Sequence, residues 1–177
     1  ANTTAADDAL WYRHVRDPRG LLRLAANPFM LTMLFQVRVA EGELPRNRGE
    51  LFARFIDRLL FREGLLVKEA ATRHWPRTPE GERLLEGLRE LAWRMQGERL
   101  RQVNQEEDFG VLTLVPHGVA VSILGSKRLL KQAEDATLLE GKDEIRFRHQ
   151  LLQEYFTAGA LRSRIQAASP LRAAELW

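Results

Sequence analysis

The sequence of 177 residues contains no cysteine. Disulfide bonds and thiol chemistry are therefore excluded, and this composition is compatible with a reducing compartment. Long apolar runs are also missing, because polar residues interrupt the most apolar stretch at Thr32, Gln36 and Arg38, far short of the roughly 20 residues that a membrane span needs. No signal peptide is visible. We therefore expect a cytoplasmic protein without a membrane partner.

The sequence has no phosphate-binding P-loop. The nearest string, Gly125 to Arg128, lacks the G-x-x-x-x-G-K-[ST] spacing and follows a stretch that reads as helix, so we interpret it as a helix cap or kink. No apolar run ends in a pair of acids that could hold magnesium. These absences predict that the chain does not hydrolyse nucleotide by itself.

Other catalytic and metal-binding patterns are missing as well. His14, His74 and His117 have no carboxylate or second histidine at ligand spacing, so we expect no metal site. A Gly-x-Ser-x-Gly elbow is absent, which argues against a serine hydrolase. We therefore predict no catalytic residue in this chain.

The composition is that of a folded chain, since 45% of the residues are hydrophobic and can bury one good core or two small ones. Lys and Arg number 27 against 24 Asp and Glu, a net charge of +3. So small an excess is no argument for a nucleic-acid partner.

Helix signals dominate the first third of the chain. Asn27 followed by Pro28 is typical of an N-cap and first helical position. The helix that they open, Phe29 to Val39, is apolar on nearly all sides, so we expect it to be the buried centre of its bundle. Asn47 and Glu50 form a capping-box variant. The helix after it has one apolar face, made by Leu51, Phe52, Phe55, Ile56, Leu59 and Leu60.

The remaining part of the sequence predicts three helical regions and a β-hairpin. Thr78 and Pro79 open a helix that ends near Arg101, Asn104 caps a short helix to Leu114, and a third helical region, Gly118 to Glu134, is interrupted at Gly125. The segments 137–140 and 144–148 can then pair around Gly141. Three helices followed by a two-stranded wing are the order of a winged-helix domain.

His149 lies where strand alternation changes to helical spacing. Ile145 and Phe147 point to one side of the strand, Arg146 and Arg148 to the other, and the final helix runs from 150 to about 167. A helix N-terminus carries partial positive charge and N–H groups without partners, so His149 stands where an anion such as phosphate would be stabilised.

We therefore predict a mainly α fold, with a helical bundle subdomain followed by a winged-helix-like subdomain with a small two-stranded β wing. The predicted boundaries are 1–70 for the helical subdomain, 71–79 for a polar linker and 80–168 for the winged-helix-like subdomain. Residues 169–177 begin a further helix that is cut short. This pattern, with a first residue that is not methionine, favours a fragment of a longer protein.

Three motifs resemble the region after the nucleotide-binding core of NACHT-type signalling ATPases. They are LRLAANPFMLTML at 22–34, GELPRNRGELF at 42–52 and IRFRHQLLQEYFTA at 145–158. In that family an LARNPLLLTLL-like helix start precedes an LP-x-R-x-ELY-like helix and then an F-x-H-x-x-x-QEY-x-A element. All three occur here in the family's order, and from the first to the last they span residues 22–158, most of the chain.

The resemblance implies a regulatory role in signalling or antiphage defence. It places Pro28 against the base and ribose of a nucleotide, and His149 against the β-phosphate of ADP. ADP or ATP with Mg²⁺ would bind the full-length protein, and neither is expected to bind this chain tightly alone. The implied partners are an upstream NTPase domain of the same polypeptide and further copies upon activation. The two subdomains would swing about the linker.

Two alternatives stay open. A free-standing winged-helix regulator would bind DNA phosphates and groove edges through basic side chains on the third helix and wing. These are Lys127, Arg128, Lys131, Arg146 and Arg148. The acids between them would repel a duplex, so nucleic acid is not the expected partner. The other alternative is a helical scaffold that binds only protein.

Overall fold

The computed structural model describes residues 24–65, 78–103 and 114–168, and for 98–103 it describes the backbone only. The chain divides into two compact units, Ala1–Arg58 and Leu59–Trp177. In the described ranges the fold is mainly helical, with six helices and one small antiparallel sheet, as the sequence predicted.

The first unit contains helix α1, Pro28–Glu41, and most of helix α2, Arg48–Arg62. The side chain of Asn27 accepts hydrogen bonds at the start of α1, and Gly42 ends the helix at a positive φ of 73°. The predicted cap and first position are thus confirmed. Before α2, Asn47 Oδ1 accepts from Glu50 N at 2.9 Å and Glu50 Oε2 accepts from Arg46 N at 2.6 Å, so the capping-box variant is confirmed too.

Helix α1 is buried on one side only, which corrects the expectation that it is the centre of its bundle. Its buried residues are Met30, Met33, Leu34 and Val37. On another face Leu31 is 51% exposed, Phe35 67% and Val39 68%. The ring of Phe29 meets that of Phe55 edge to face, with centroids 6.1 Å apart, which packs α1 against α2.

The second unit begins within α2 and continues with helix α3, Pro79–Val103. Then follow strand β1, Val115–Pro116, helix α4, His117–Leu124, and helix α5, Lys127–Asp135. Strands β2, Leu139–Gly141, and β3, Glu144–Phe147, form the wing, and helix α6, Gln150–Ala167, closes the unit.

The sheet has the strand order β1-β3-β2, and both pairings are antiparallel. Leu139 pairs with Phe147 in the predicted hairpin, and Val115 pairs with Ile145 along the other edge of β3. The third strand was not predicted, because two residues are too few to show an alternating pattern. The element order from α3 to β3 is that of a winged helix, which confirms the predicted fold class.

The turn between α4 and α5 follows from two residues. Gly125 ends α4 at a φ of 85°, in the left-handed region that glycine adopts without steric cost. Ser126 caps α5, with its side chain accepting from Leu129 N at 3.1 Å. Gly125 to Arg128 therefore form a helix cap, as interpreted from the sequence.

The core of this unit lies between α3, α4, α6 and the sheet. Ile145 and Phe147 point inward from β3 and are fully buried, while Arg146 and Arg148 are exposed, as the alternation predicted. The rings of Phe147 and Phe156 lie 5.7 Å apart and join β3 to α6. The backbone that follows β3 is therefore held at a fixed position.

Several predictions concern parts of the chain outside the described residues. They are the helix capped by Asn104, most of the linker at 71–79, and the helix start at 169–177. The proposed boundaries of the two subdomains remain predictions.

Candidate functional site

The candidate site is the junction between β3 and α6, where His149 is the N-cap residue. Its backbone is extended, with φ of −143° and ψ of 136°. His149 Nδ1 accepts a hydrogen bond from Leu151 N at 3.1 Å, and its carbonyl accepts from Leu152 N at 3.0 Å. Imidazole thus performs the capping role that Ser, Thr, Asp or Asn usually has.

This geometry fixes the tautomer of the imidazole. A nitrogen that accepts a hydrogen bond cannot carry a proton, so in the neutral ring the proton resides on Nε2. Burial lowers the pKa of His149, and the nearby carboxylate of Glu154 opposes that effect only in part. The neutral form with a donating Nε2–H is therefore favoured at neutral pH.

The first turn of α6 contains no acidic side chain. The nearest carboxylate on the helix, Glu154, is one turn further on and accepts a hydrogen bond from Gln150 Nε2 at 3.0 Å. The positive end of the helix dipole is thus not offset by an acid in the first turn. An anion that accepted from His149 Nε2 would gain from the same dipole.

Side chains of the second turn of α6 serve mainly packing. Gln153 is buried, Tyr155 is half-buried, and the rings of Tyr155 and Phe156 meet edge to face at 5.5 Å. These contacts hold the helix against its neighbours. They thereby fix the position of His149 one turn earlier.

Pro28 lies in the first unit and is exposed at the first position of α1. Asn27 Oδ1 accepts from Phe29 N at 3.0 Å and from Met30 N at 3.3 Å, which holds the helix start that presents the pyrrolidine ring. Pro28 O accepts from Thr32 Oγ1 at 2.9 Å. The ring is an exposed apolar surface on a fixed backbone.

Three of the five side chains of the DNA alternative are paired with carboxylates. Arg128 Nε lies 3.0 Å from Glu80 Oε1, and Lys131 Nζ lies 2.8 Å from Asp135 Oδ1.

On the wing, Arg146 Nη2 lies 2.7 Å from Glu140 Oε1. Lys127 and Arg148 are exposed and have no ion pair within the described residues. The basic side chains of α5 and the wing are thus largely neutralised within the unit.

These acidic partners were not predicted from the sequence. Glu140 and Arg146 are direct cross-strand partners, so the hairpin register would have identified that pair. The pairing of Arg128 with Glu80 joins α5 to the first turn of α3 across 48 residues, and no local pattern reveals it.

No group of three or more His, Cys, Asp or Glu residues that could hold a metal ion occurs among the described residues. Within the same ranges, every helix is too short or too polar to cross a membrane. Comparisons with protein-family models, with curated proteins and with solved structures found no match.

Proposed function

We propose that this chain is the regulatory segment of a NACHT-like ATPase, in which His149 donates a hydrogen bond from Nε2 to a phosphate oxygen of bound ADP. The upstream NTPase domain would hold the nucleotide and Mg²⁺. The winged-helix-like unit would report which nucleotide is present, and exchange for ATP would release that contact and permit self-association.

The observation that carries this proposal is the use of His149 Nδ1 as a helix cap. Because Nδ1 accepts the capping hydrogen bond, the ring has a fixed orientation at the N-terminus of α6 and its proton is on Nε2. A neutral donor beside a helix N-terminus can select a phosphate oxygen without a charged side chain. Such a contact supplies about 1–3 kcal/mol of coupling, enough to bias a two-state switch.

The first test is the coding sequence upstream of Ala1. The proposal requires an NTPase domain with a strand, a G-x-x-x-x-G-K-[ST] loop and a strand that ends in acids, in the same reading frame. If the frame opens at Ala1 instead, the ATPase proposal is wrong.

Two substitutions distinguish the capping role of His149 from its proposed phosphate contact. They are made in the polypeptide that also contains the NTPase domain. His149→Asn keeps a capping side chain but lacks the Nε2 donor, whereas His149→Ala loses both. We expect both variants to release ADP about tenfold faster, with only His149→Ala destabilised. ADP release from His149→Asn at the wild-type rate would show that the histidine does not contact the nucleotide.

Pro28 makes a second contact in the proposal. Because the exposed ring is rigid, Pro28→Ala would weaken nucleotide binding by removing apolar contact, while Asn27 continues to cap α1. Isothermal titration with ADP measures the change. An unchanged affinity for ADP would show that Pro28 does not contact the nucleotide and serves only to start α1.

The DNA alternative retains two exposed cations that have no ion pair within the described residues, Lys127 and Arg148. Titration of a labelled duplex at 50 and 200 mM salt tests it, because phosphate contacts lose affinity steeply as salt rises. We expect no binding even at the lower salt concentration, since Arg128, Lys131 and Arg146 are occupied by carboxylates. Salt-dependent binding that Lys127→Ala weakens would favour this alternative.

A further inference from the structure

The end of α2 and the start of α3 meet at one residue, Leu65. Helix α2 ends in a Schellman motif: Gly64 has a φ of 70°, Gly64 N donates to Phe61 O at 3.0 Å and Leu65 N donates to Leu60 O at 2.9 Å. The motif turns the chain so that the side chain of Leu65 is only 1% exposed. The backbone of Leu65 is thus fixed by the helix before it.

The carbonyl of Leu65 is in turn bound to Thr78, the residue that precedes the next helix, α3. Thr78 N donates to Leu65 O at 3.0 Å, and Thr78 Oγ1 donates to the same oxygen at 3.2 Å. Thr78 also caps α3, because its Oγ1 accepts from Gly81 N at 3.0 Å. One threonine therefore caps a helix and binds the end of the preceding one.

Gly81 makes this approach possible. A β-carbon at position 81 would lie 2.5 Å from Leu65 O, closer than real contacts allow. The carbonyl therefore rests directly on the first turn of α3. We call Leu65, Thr78 and Gly81 the corner clamp.

We infer that the corner clamp, and not the covalent connection through residues 66–77, holds the end of α2 on α3. Residues 65 and 78 are in direct contact, so the intervening twelve positions are not needed to bridge any distance. The polar composition of 71–79 predicts a linker between two subdomains in the same part of the chain. While the clamp holds, cutting or lengthening the chain there leaves the last turn of α2 attached to α3. This inference does not depend on the nucleotide proposal.

The test is a protease recognition sequence inserted between Ala71 and Thr72, followed by cleavage. The two pieces are then run on gel filtration, and the exchange of the Thr78 amide hydrogen is compared before and after the cut. We expect the pieces to elute together and the Thr78 amide to stay protected to within about threefold. Separation of the pieces, or loss of that protection, would overturn the inference.

Matched substitutions show whether the clamp itself is responsible. In the cut chain Thr78→Ala removes the hydroxyl, whereas Thr78→Ser keeps it. We expect Thr78→Ala to raise the exchange rate of the Gly81 amide about fivefold and to lower the thermal midpoint by about 2–4 °C. Thr72→Ala, the same change within 66–77, serves as the control. Equal effects of Thr72→Ala and Thr78→Ala would overturn the assignment to the clamp.

Discussion

A β-carbon at Gly87 would lie 2.9 Å from Leu124 Cδ2 and 3.1 Å from Leu124 Cα, so α3 and α4 approach each other with no room for a side chain. The contact includes backbone of α4, which cannot rotate away as a side chain can. The orientation of α4, and of the α5 helix that follows it, thus depends on this glycine.

Gly87→Ala is expected to destabilise the protein. The higher helix propensity of alanine stabilises the folded protein by up to about 1 kcal/mol, but overpacking against Leu124 typically destabilises it by about 1–3 kcal/mol. We expect a net loss of about 1 kcal/mol in the free energy of unfolding, measured by urea denaturation. Gly97→Ala on the same helix is the control, because nothing lies within 4 Å of its added β-carbon, and it should stabilise the protein. Equal effects at the two positions would contradict the close approach.

Gly141→Ala is expected to disrupt the wing. Gly141 has a φ of 131°, and its added β-carbon would overlap the carbonyl oxygen of Glu144, so the turn cannot accept a side chain. The free energy of unfolding should fall by about 2 kcal/mol or more, with faster amide exchange in β2 and β3. Gly118→Ala, where the added atom has open space, should leave the exchange of both strands unchanged. A protected hairpin in Gly141→Ala would contradict this turn geometry.

The titration of His149 should make the free energy of unfolding depend on pH. Its pKa is lowered in the folded state, so below about pH 6.5 the unfolded chain binds this proton more readily than the folded one. Stability is fully present above that pH and is lost as the pH falls towards the lowered pKa.

The variant His149→Asn isolates this effect, because asparagine caps the helix without titrating. We expect the thermal midpoint of His149→Asn to fall less between pH 7 and pH 5 than that of the wild type. Calorimetry measures both midpoints. Identical pH profiles would show that His149 does not contribute.

Arg164 joins α6 to α3 by two contacts. Its guanidinium lies 4.6 Å from the centroid of the Trp93 ring, and Nη2 lies 2.5 Å from Glu90 Oε2. Both contacts are partly exposed, so Arg164→Ala should lower the free energy of unfolding by about 1 kcal/mol. Arg162→Ala, an exposed position on the same helix, should change it by less than about 0.5 kcal/mol. A double-mutant cycle with Trp93→Leu should give a coupling of about 0.5 kcal/mol, and strict additivity would contradict the ring contact.

The one-sided burial of α1 can be tested directly. Met33 is fully buried, so Met33→Ala should cost about 2–5 kcal/mol of stability. Phe35 is 67% exposed, so Phe35→Ala should change stability by less than about 0.5 kcal/mol. Chemical denaturation of the two variants measures the difference. A large loss in Phe35→Ala would restore the expectation that α1 is buried all round.

Local signals predicted the helices well. Asn27 with Pro28, Asn47 with Glu50 and the change of period after Phe147 each depend on residues within a few positions, and the structure has the caps and the helix starts where they indicate. Capping bonds form between a side chain and backbone that is at most one turn away, so sequence spacing suffices to predict them.

The candidate site was only partly predictable. The sequence placed His149 at a helix start, but not its Nδ1 in the cap, because Ser, Thr, Asp and Asn are the usual capping residues. The carboxylate partner of Arg128 came from another helix, so the charge available on α5 could not be judged from the sequence.

The sequence by itself determined the fold class, the helices α3 to α6 with the hairpin before α6, and the two faces of β3, since these follow from apolar periodicity and turn residues. The tertiary structure decided which side of α1 is buried, that β1 joins the sheet, and that Leu65 meets Thr78. Each of these depends on contacts between distant segments, whose free energy is absent from any local window of the sequence.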